Sequence, residues 1–342
     1  MGNCMYRCND GETDILQQSV DNQLSNMSSV HSSYGTSTFG RPTTVATPTT
    51  STTRTSIAQS VASNGDRSSS VYPIHNNEDE INRLQLMHYM VRYGWEGNFS
   101  APIHNILKAG KAKVLDIGCG PGTWILEMAA DYPHSTFIGL DNSPIFPSAI
   151  KPHNARFYQA DVHDGLPFED NTFDFVHQRF LALALKEEEW VPLIDEIVRV
   201  TKPGGYCEIM ECDFEIDKQG PVTQTLVEAV RTCIQANGVN PYMREKIEEL
   251  LSDTNMIVDI TVNEKVTPFG SWGGRWGELV SDGLRMSAST FKPIIQPTLR
   301  LSDEEYVKAI NHAVTQEMNE YRSETKMYRI YGKRKTTTVP TE

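Results

Sequence analysis

The chain has 342 residues, 39% of them hydrophobic, and a formal net charge of −13. That length allows one large domain or two small ones, and an acidic surface repels phosphate backbones, which argues against a nucleic-acid substrate. The six cysteines form no CxxC pair, and no histidine stands at metal-ligand spacing beside them, so neither a zinc site nor a disulfide framework is expected.

In chain order, Met1-Gly2-Asn3-Cys4 suits myristoylation at Gly2 followed by palmitoylation at Cys4 or Cys8, and hence peripheral membrane contact. Tyr6 departs from the Ser or Thr that the acylation pattern wants. Ser19 to Ser70 is dominated by Ser, Thr, Asn and Pro. Such a segment cannot bury enough apolar surface to offset backbone ordering, about 1–2 kcal/mol per residue. Residues 1–76 are therefore expected to form a disordered tail, whose hydroxyls offer sites for kinases or regulatory partners. No secretory h-region and no run of about 18 apolar residues is present, so an intracellular chain with reduced thiols is expected, cytoplasmic or nuclear.

From Asn77 the pattern changes, and residues 77–335 read as one domain. Ile81, Leu84, Met87 and Val91 recur at helical spacing behind Glu78, Asp79 and Glu80, so an amphipathic helix is predicted, ending near Gly94. Short strands then alternate with helices. Lys113–Ile117, Thr136–Leu140, Ala155–Ala160, Phe173–His177 and Tyr206–Met210 are the strands; Thr123–Ala130 and Trp190–Val200 are the helices, and Pro203-Gly204-Gly205 is a turn. The alternation predicts an α/β fold with a parallel sheet covered on both faces, its core within 111–213. Further helices are predicted over Val222–Ala236, Arg244–Leu251, Trp272–Met286 and Asp303–Tyr321, with strands over Ile257–Val266 and Met327–Tyr331.

The chemistry centres on Val114-Leu115-Asp116-Ile117-Gly118-Cys119-Gly120-Pro121-Gly122. A glycine-rich turn after a strand brings backbone amides close to a nucleotide-like ligand. Dinucleotide enzymes place a third Gly three positions after the second, where this chain has Thr123. Asp116 precedes the first glycine, and Asp141 follows it by 25 residues at the end of the next strand, placed to grip ribose hydroxyls. Asp161 ends the third strand and could accept from an adenine amino group. Three carboxylates at successive strand ends beside a DxGxGxG turn fit the cationic sulfonium and ammonium of S-adenosylmethionine better than a pyrophosphate. A nicotinamide oxidoreductase is disfavoured by that spacing.

Val114 to Met210 resembles a class I, seven-stranded S-adenosylmethionine-dependent methyltransferase domain, and within that class the fungal LaeA type of velvet-complex regulators. Arg83-Leu84-Gln85-Leu86-Met87-His88, Ala101-Pro102-Ile103, Gly165-Leu166-Pro167-Phe168, Phe173 to Arg179 and Thr201-Lys202-Pro203-Gly204-Gly205 carry the same likeness. The resemblance covers roughly Glu78 to Tyr331. It implies a Rossmann-like sheet whose last strand is antiparallel, with Asp116, Gly118 and Gly120 at the cofactor's methionine end, Asp141 at the ribose and Asp161 near the adenine. Cys119, Gly122, Asn142 and Val162 are counted among the cofactor-binding residues beside them.

Methyl transfer is an in-line displacement that depends on proximity and alignment, with a base needed only where the acceptor must lose a proton. His177 could be that base. Alternatively His177 and Gln178 orient the cofactor through backbone groups, the favoured role, since lone histidines are more often satisfied packing residues. Glu211 and Asp213 are acceptor-side candidates. Helical elements at 77–100 and 271–322 would cap the site. Tyr93, Trp95, Phe99, Trp272 and Trp276 would either wall an apolar pocket or pack between helices, the second being favoured, and Trp124 and Trp190 carry no assigned role. The expected acceptor is a small molecule or a protein side chain. The competing reading is a LaeA-like regulatory protein that keeps the cofactor fold for binding with little turnover.

Overall fold

The structure, a computed structural model, describes residues 77–336. The predicted tail, with Gly2, Cys4 and Cys8, lies outside the described residues. The first half contains α1 (Glu78–Trp95), α2 (His104–Lys108), β1 (Lys113–Ile117), α3 (Thr123–Asp131), β2 (Thr136–Asp141), β3 (Ala155–Gln159) and β4 (Phe173–Arg179). Then follow α4 (Trp190–Val200), β5 (Thr201–Cys212), α5 (Pro221–Ala236), α6 (Met243–Asp253), β6 (Ile257–Pro268), α7 (Gly274–Leu299), α8 (Asp303–His312) and β7 (Glu324–Arg334).

The strands form one seven-stranded sheet in the order β3-β2-β1-β4-β5-β7-β6. The pairs from β3 through β5 are parallel, while β7 runs antiparallel between β5 and β6. This is the Rossmann-like sheet with an antiparallel last strand that the sequence predicts. Both faces are covered, as a parallel sheet requires. Along β1, Val114 enters a core with Trp124, Ile125 and Phe175 on the α3 face. Leu115 and Ile117 point the other way, into a core with Trp190, Ile194 and Ile197 of α4. Chain order reverses between β1 and β4, so their C-terminal ends flank the crevice where open α/β sheets take ligands.

Three segments differ from the sequence prediction. Helix α1 ends at Trp95, one residue past the expected Gly94, which is buried within it, and Glu96 supplies the left-handed cap at φ 55°. A Cβ at Gly94 would lie 2.1 Å from the Trp276 indole, so the glycine serves helix packing. The buried positions of α1 also include Glu80, Arg83 and His88, while Ile81, Leu84 and Met87 are only partly buried. The Pro203-Gly204-Gly205 turn falls inside β5, where the register against β4 slips between Phe173 and Phe175. Helix α7 runs on to Leu299 through Pro293 and Pro297. Ile295, between those prolines, and Leu299, beyond them, remain buried, and Tyr306 Oη and Cys233 Sγ donate to the carbonyls of Ala288 and Ile294. Packing therefore outweighs the local loss of helical bonds.

Helix α1 lies along α7, joined by Gly94 against Trp276 and by Arg83 Nη1 donating to Ser287 Oγ at 3.4 Å. After α8 a π-helical turn, Ala313–Glu317, brings the buried Glu317 carboxylate onto the start of α5. It accepts there from Val222 N, Thr223 N and Thr223 Oγ1. Gly94→Ala should lower stability by about 1–2 kcal/mol in urea unfolding, because overpacking outweighs the gain in helix propensity. In a Trp276→Ala background the same substitution should instead stabilise.

Candidate cofactor and acceptor site

The glycine loop leaves β1 at the crevice. Gly118, Gly120 and Gly122 have φ of 69°, 53° and 73°, the left-handed region that favours glycine. A Cβ on Gly118 would lie 2.6 Å from Leu181 Cδ2, and one on Gly122 would lie 2.4 Å from Phe157 Cε1. At Gly120 the nearest atom is Leu84 Cδ1 of α1, at 3.4 Å, so α1 passes over the loop. Gly118 N and Cys119 N both donate to Leu140 O, fastening the loop to β2. Asp141 completes the turn: Oδ2 accepts from Gly120 N and Oδ1 from Ser143 N, both at 2.8 Å. Burial raises the Asp141 pKa, and these amide bonds oppose the rise.

Of the predicted site residues, Gly118, Cys119, Gly120, Asp141, Asn142, Asp161 and Val162 line one cavity of about 1530 Å³. Asp161 Oδ1 is held by His163, accepting from its backbone N at 3.0 Å and meeting its Nδ1 at 2.6 Å. Asp116, Gly122, His177 and Gln178 lie outside that lining. Asp116 is buried behind the loop, with Oδ1 2.7 Å from His177 Nδ1. The His177 ring is 1% exposed and stacks on Trp124 at 4.2 Å and 3°. This corrects the reading of His177 as a base: a ring sandwiched beneath the loop cannot reach an acceptor in the cavity. Trp124, without an assigned role in the sequence, is its stacking partner and donates Nε1–H to Asn98 O.

Gln178 is also buried and acts on a cavity residue. Its Nε2 donates to Glu211 Oε1 at 2.8 Å, and the same oxygen accepts from Leu181 N at 2.8 Å. Glu211 lines the cavity, and burial pushes its pKa from 4.5 up to about 7 despite those bonds. Asp213 lines it too, hydrogen-bonded by Tyr328 Oη at 2.9 Å.

Sequence reasoning passed over Arg179. It follows His177 by two residues on β4, so its side chain leaves the same sheet face as His177 and Asp116. Arg179 lines the cavity, and no carboxylate lies within ion-pair distance of it among the described residues. Desolvation lowers its pKa. Its hydrogen-bonding neighbour is His88 Nδ1 of α1 at 3.5 Å, and His88 Nε2 meets Glu127 Oε2 at 2.7 Å. Burial, then the Arg179 charge, brings the His88 pKa down to about 3, so the ring is neutral and can accept from Arg179. The two-residue step from His177 was the available signal.

The aromatic residues are placed otherwise than as a pocket wall. Trp276 packs on Gly94, and Trp95 lies 4.6 Å under the Arg329 guanidinium. Tyr93, Phe99 and Trp276 border a separate surface groove, and Trp272 is 37% exposed. Packing between elements is thus the role of Trp95 and Trp276.

A family model described as a methyltransferase domain matches residues 114–205, the glycine loop through the start of β5. Residues 114–205 thus carry a methyltransferase domain. The chain is similar to the "Secondary metabolism regulator laeA" of Coprinopsis cinerea, 32% identical over 149 residues, 43% of this chain and 37% of that protein. It is similar also to the "N-methyltransferase verN" of Clonostachys rogersoniana, 22% identical over 293 residues, covering 82% and 99%. Among solved structures, phosphoethanolamine N-methyltransferase 2 of Haemonchus contortus with S-adenosyl-L-methionine matches at 18% identity and a TM-score of 0.45, covering 74% and 57%. The chain spans 37% of the length of the laeA protein and 57% of that of a further relative, "Methyltransferase str3" of Strobilurus tenacellus.

Glu211 gives that domain a pH signature. Its folded pKa of about 7 exceeds its ordinary 4.5, so the folded state binds more protons between those values. Stability contributed by this residue is greatest below pH 4.5 and falls as pH rises through 7, by roughly 3 kcal/mol at most. Glu211→Gln should abolish that part of the decline, so thermal unfolding at pH 5 and pH 8 should differ less in the variant than in the parent.

Proposed function

We propose that the chain transfers a methyl group from S-adenosylmethionine to an acceptor bound in the same cavity. The observation that carries the reading is the junction of the glycine loop, Asp141 and Asp161 on one cavity beside the switch point of the sheet. Names of related proteins support it, several of which are methyltransferases.

The residues suit this cofactor. The backbone at Gly120 leaves space that a side chain would fill, with only Leu84 near its Cβ position. Asp141 offers an anionic acceptor for ribose hydroxyls, and Asp161, lining the same cavity with Asn142 and Val162, offers one for the adenine amino group. Asp116 contributes negative potential from behind the loop toward a cationic methionine end. Arg179, half-buried on the cavity wall, supplies the opposite charge for the methionine carboxylate through a charge-assisted pair.

S-adenosylmethionine supplies an activated methyl on a sulfonium. The acceptor lone pair attacks that carbon, the carbon–sulfur bond pair stays on sulfur, and neutral S-adenosylhomocysteine leaves. Glu211, with its pKa near 7 and its place on the cavity wall, is the group suited to take an acceptor proton. Positioning and exclusion of water supply the rest of the rate.

Asp141→Ala should weaken S-adenosylhomocysteine binding by about 10–100-fold, the loss expected for charge-assisted hydrogen bonds. Arg179→Met should weaken S-adenosylhomocysteine but leave 5′-methylthioadenosine, which lacks the amino-acid end, within about twofold. Calorimetry checks both. Turnover is tested by incubating the purified chain and tritiated S-adenosylmethionine with cell extract. Label transferred to any acceptor supports methyl transfer, and bound cofactor with no transferred label would instead favour the regulatory reading.

A further inference from the structure

The cavity holds more than a cofactor needs. Pockets for one drug-sized ligand occupy about 300–1,000 Å³, and this one measures about 1530 Å³. Away from the glycine loop it continues between α5 and α7 and is closed by the π-helical turn. Val227, Val280, Ala288, Ile295, Val314 and Met318 line that chamber, and all but Val227 are nearly fully buried.

One residue of the chamber wall has no explanation in packing. Gly283 sits inside α7, where glycine costs about 1 kcal/mol relative to alanine. Elsewhere in this helix such a cost has a reason: a Cβ at Gly277 would lie 2.1 Å from Gly270 O. At Gly283 the nearest heavy atom to an added Cβ is Met90 Sδ at 3.8 Å, an ordinary contact. The missing side chain therefore keeps chamber volume open and relieves no clash.

We infer that the methyl acceptor is an apolar small molecule whose body fills this chamber, with Gly283 setting how bulky it can be. The inference rests on the methyl-transfer reading and specifies its substrate class. An extended protein side chain would need a narrow channel with polar groups at its mouth for the flanking backbone. Buried aliphatic walls on two facing helices instead match a ligand that gains affinity by leaving water.

The test uses the full-length chain with S-adenosylhomocysteine bound and the fluorescent apolar probe 1-anilinonaphthalene-8-sulfonate. Saturable probe binding is expected. Gly283→Leu should weaken it at least about tenfold by filling the chamber, while S-adenosylhomocysteine affinity stays within about twofold. Val230→Phe, on the facing helix, is the second variant and should act in the same direction. Absence of probe binding to the parent, or equal binding by both variants, overturns the inference. Should both variants lose the cofactor as well, the parent chain still decides: label from tritiated S-adenosylmethionine must enter organic-extractable material, and label confined to protein overturns the inference. Failure of the parent to bind S-adenosylhomocysteine would instead refute the methyl-transfer reading beneath it.

Discussion

The hydrogen bond between Asp116 and His177 sits at the point on which the rest of the site depends. It joins β1 to β4 where chain order reverses, with both side chains buried and 2.7 Å apart. Trp124 stacks on the imidazole and so ties the first turn of α3 to the same pair. The glycine loop begins two residues after Asp116, and Arg179 emerges two residues after His177. Losing either partner would leave the other desolvated without its hydrogen bond, at a cost of about 1–3 kcal/mol. This buried contact therefore adjoins both the start of the loop and Arg179 on the cavity wall.

Other carboxylates fasten the helical layer to the sheet in a similar way. Glu208 of β5 accepts from Ser100 N and Ala101 N, and Arg329 of β7 donates to Gly97 O, which fixes the link after α1. Glu127 of α3 meets His88, Arg92 and Asn98. Glu317 takes the first amides of α5. Each satisfies buried donors that would otherwise be costly. Helix α5 packs on the end of α7 through Ala229, Ile295 and Leu299, and residues of both helices line the cavity.

Strand positions were legible because buried parallel strands leave short apolar runs with clear borders. Lys113–Ile117 and the helix Trp190–Val200 fall where the sequence puts them. The glycine loop was legible because its conformation admits few residues other than glycine. Helix ends were less so: the end of α1 falls within a residue of Gly94, whereas α7 runs well past Met286 to Leu299, where buried Ile295 and Leu299 hold it. The two roles weighed for His177 could not be separated in sequence, because a histidine at a strand end looks alike whether it faces a ligand or a tryptophan. The chamber was not legible at all. Its walls come from helices distant in sequence, and apolar residues at helical spacing look the same when they line a cavity as when they fill a core.

The central claim is that the crevice at β1 and β4 is built for S-adenosylmethionine. Titration calorimetry of the full-length chain with S-adenosylmethionine, and separately with NAD, tests it most directly. The account predicts saturable binding of S-adenosylmethionine at one site per chain and no measurable heat with NAD. Binding of NAD, or no binding of S-adenosylmethionine by a folded protein, would contradict it.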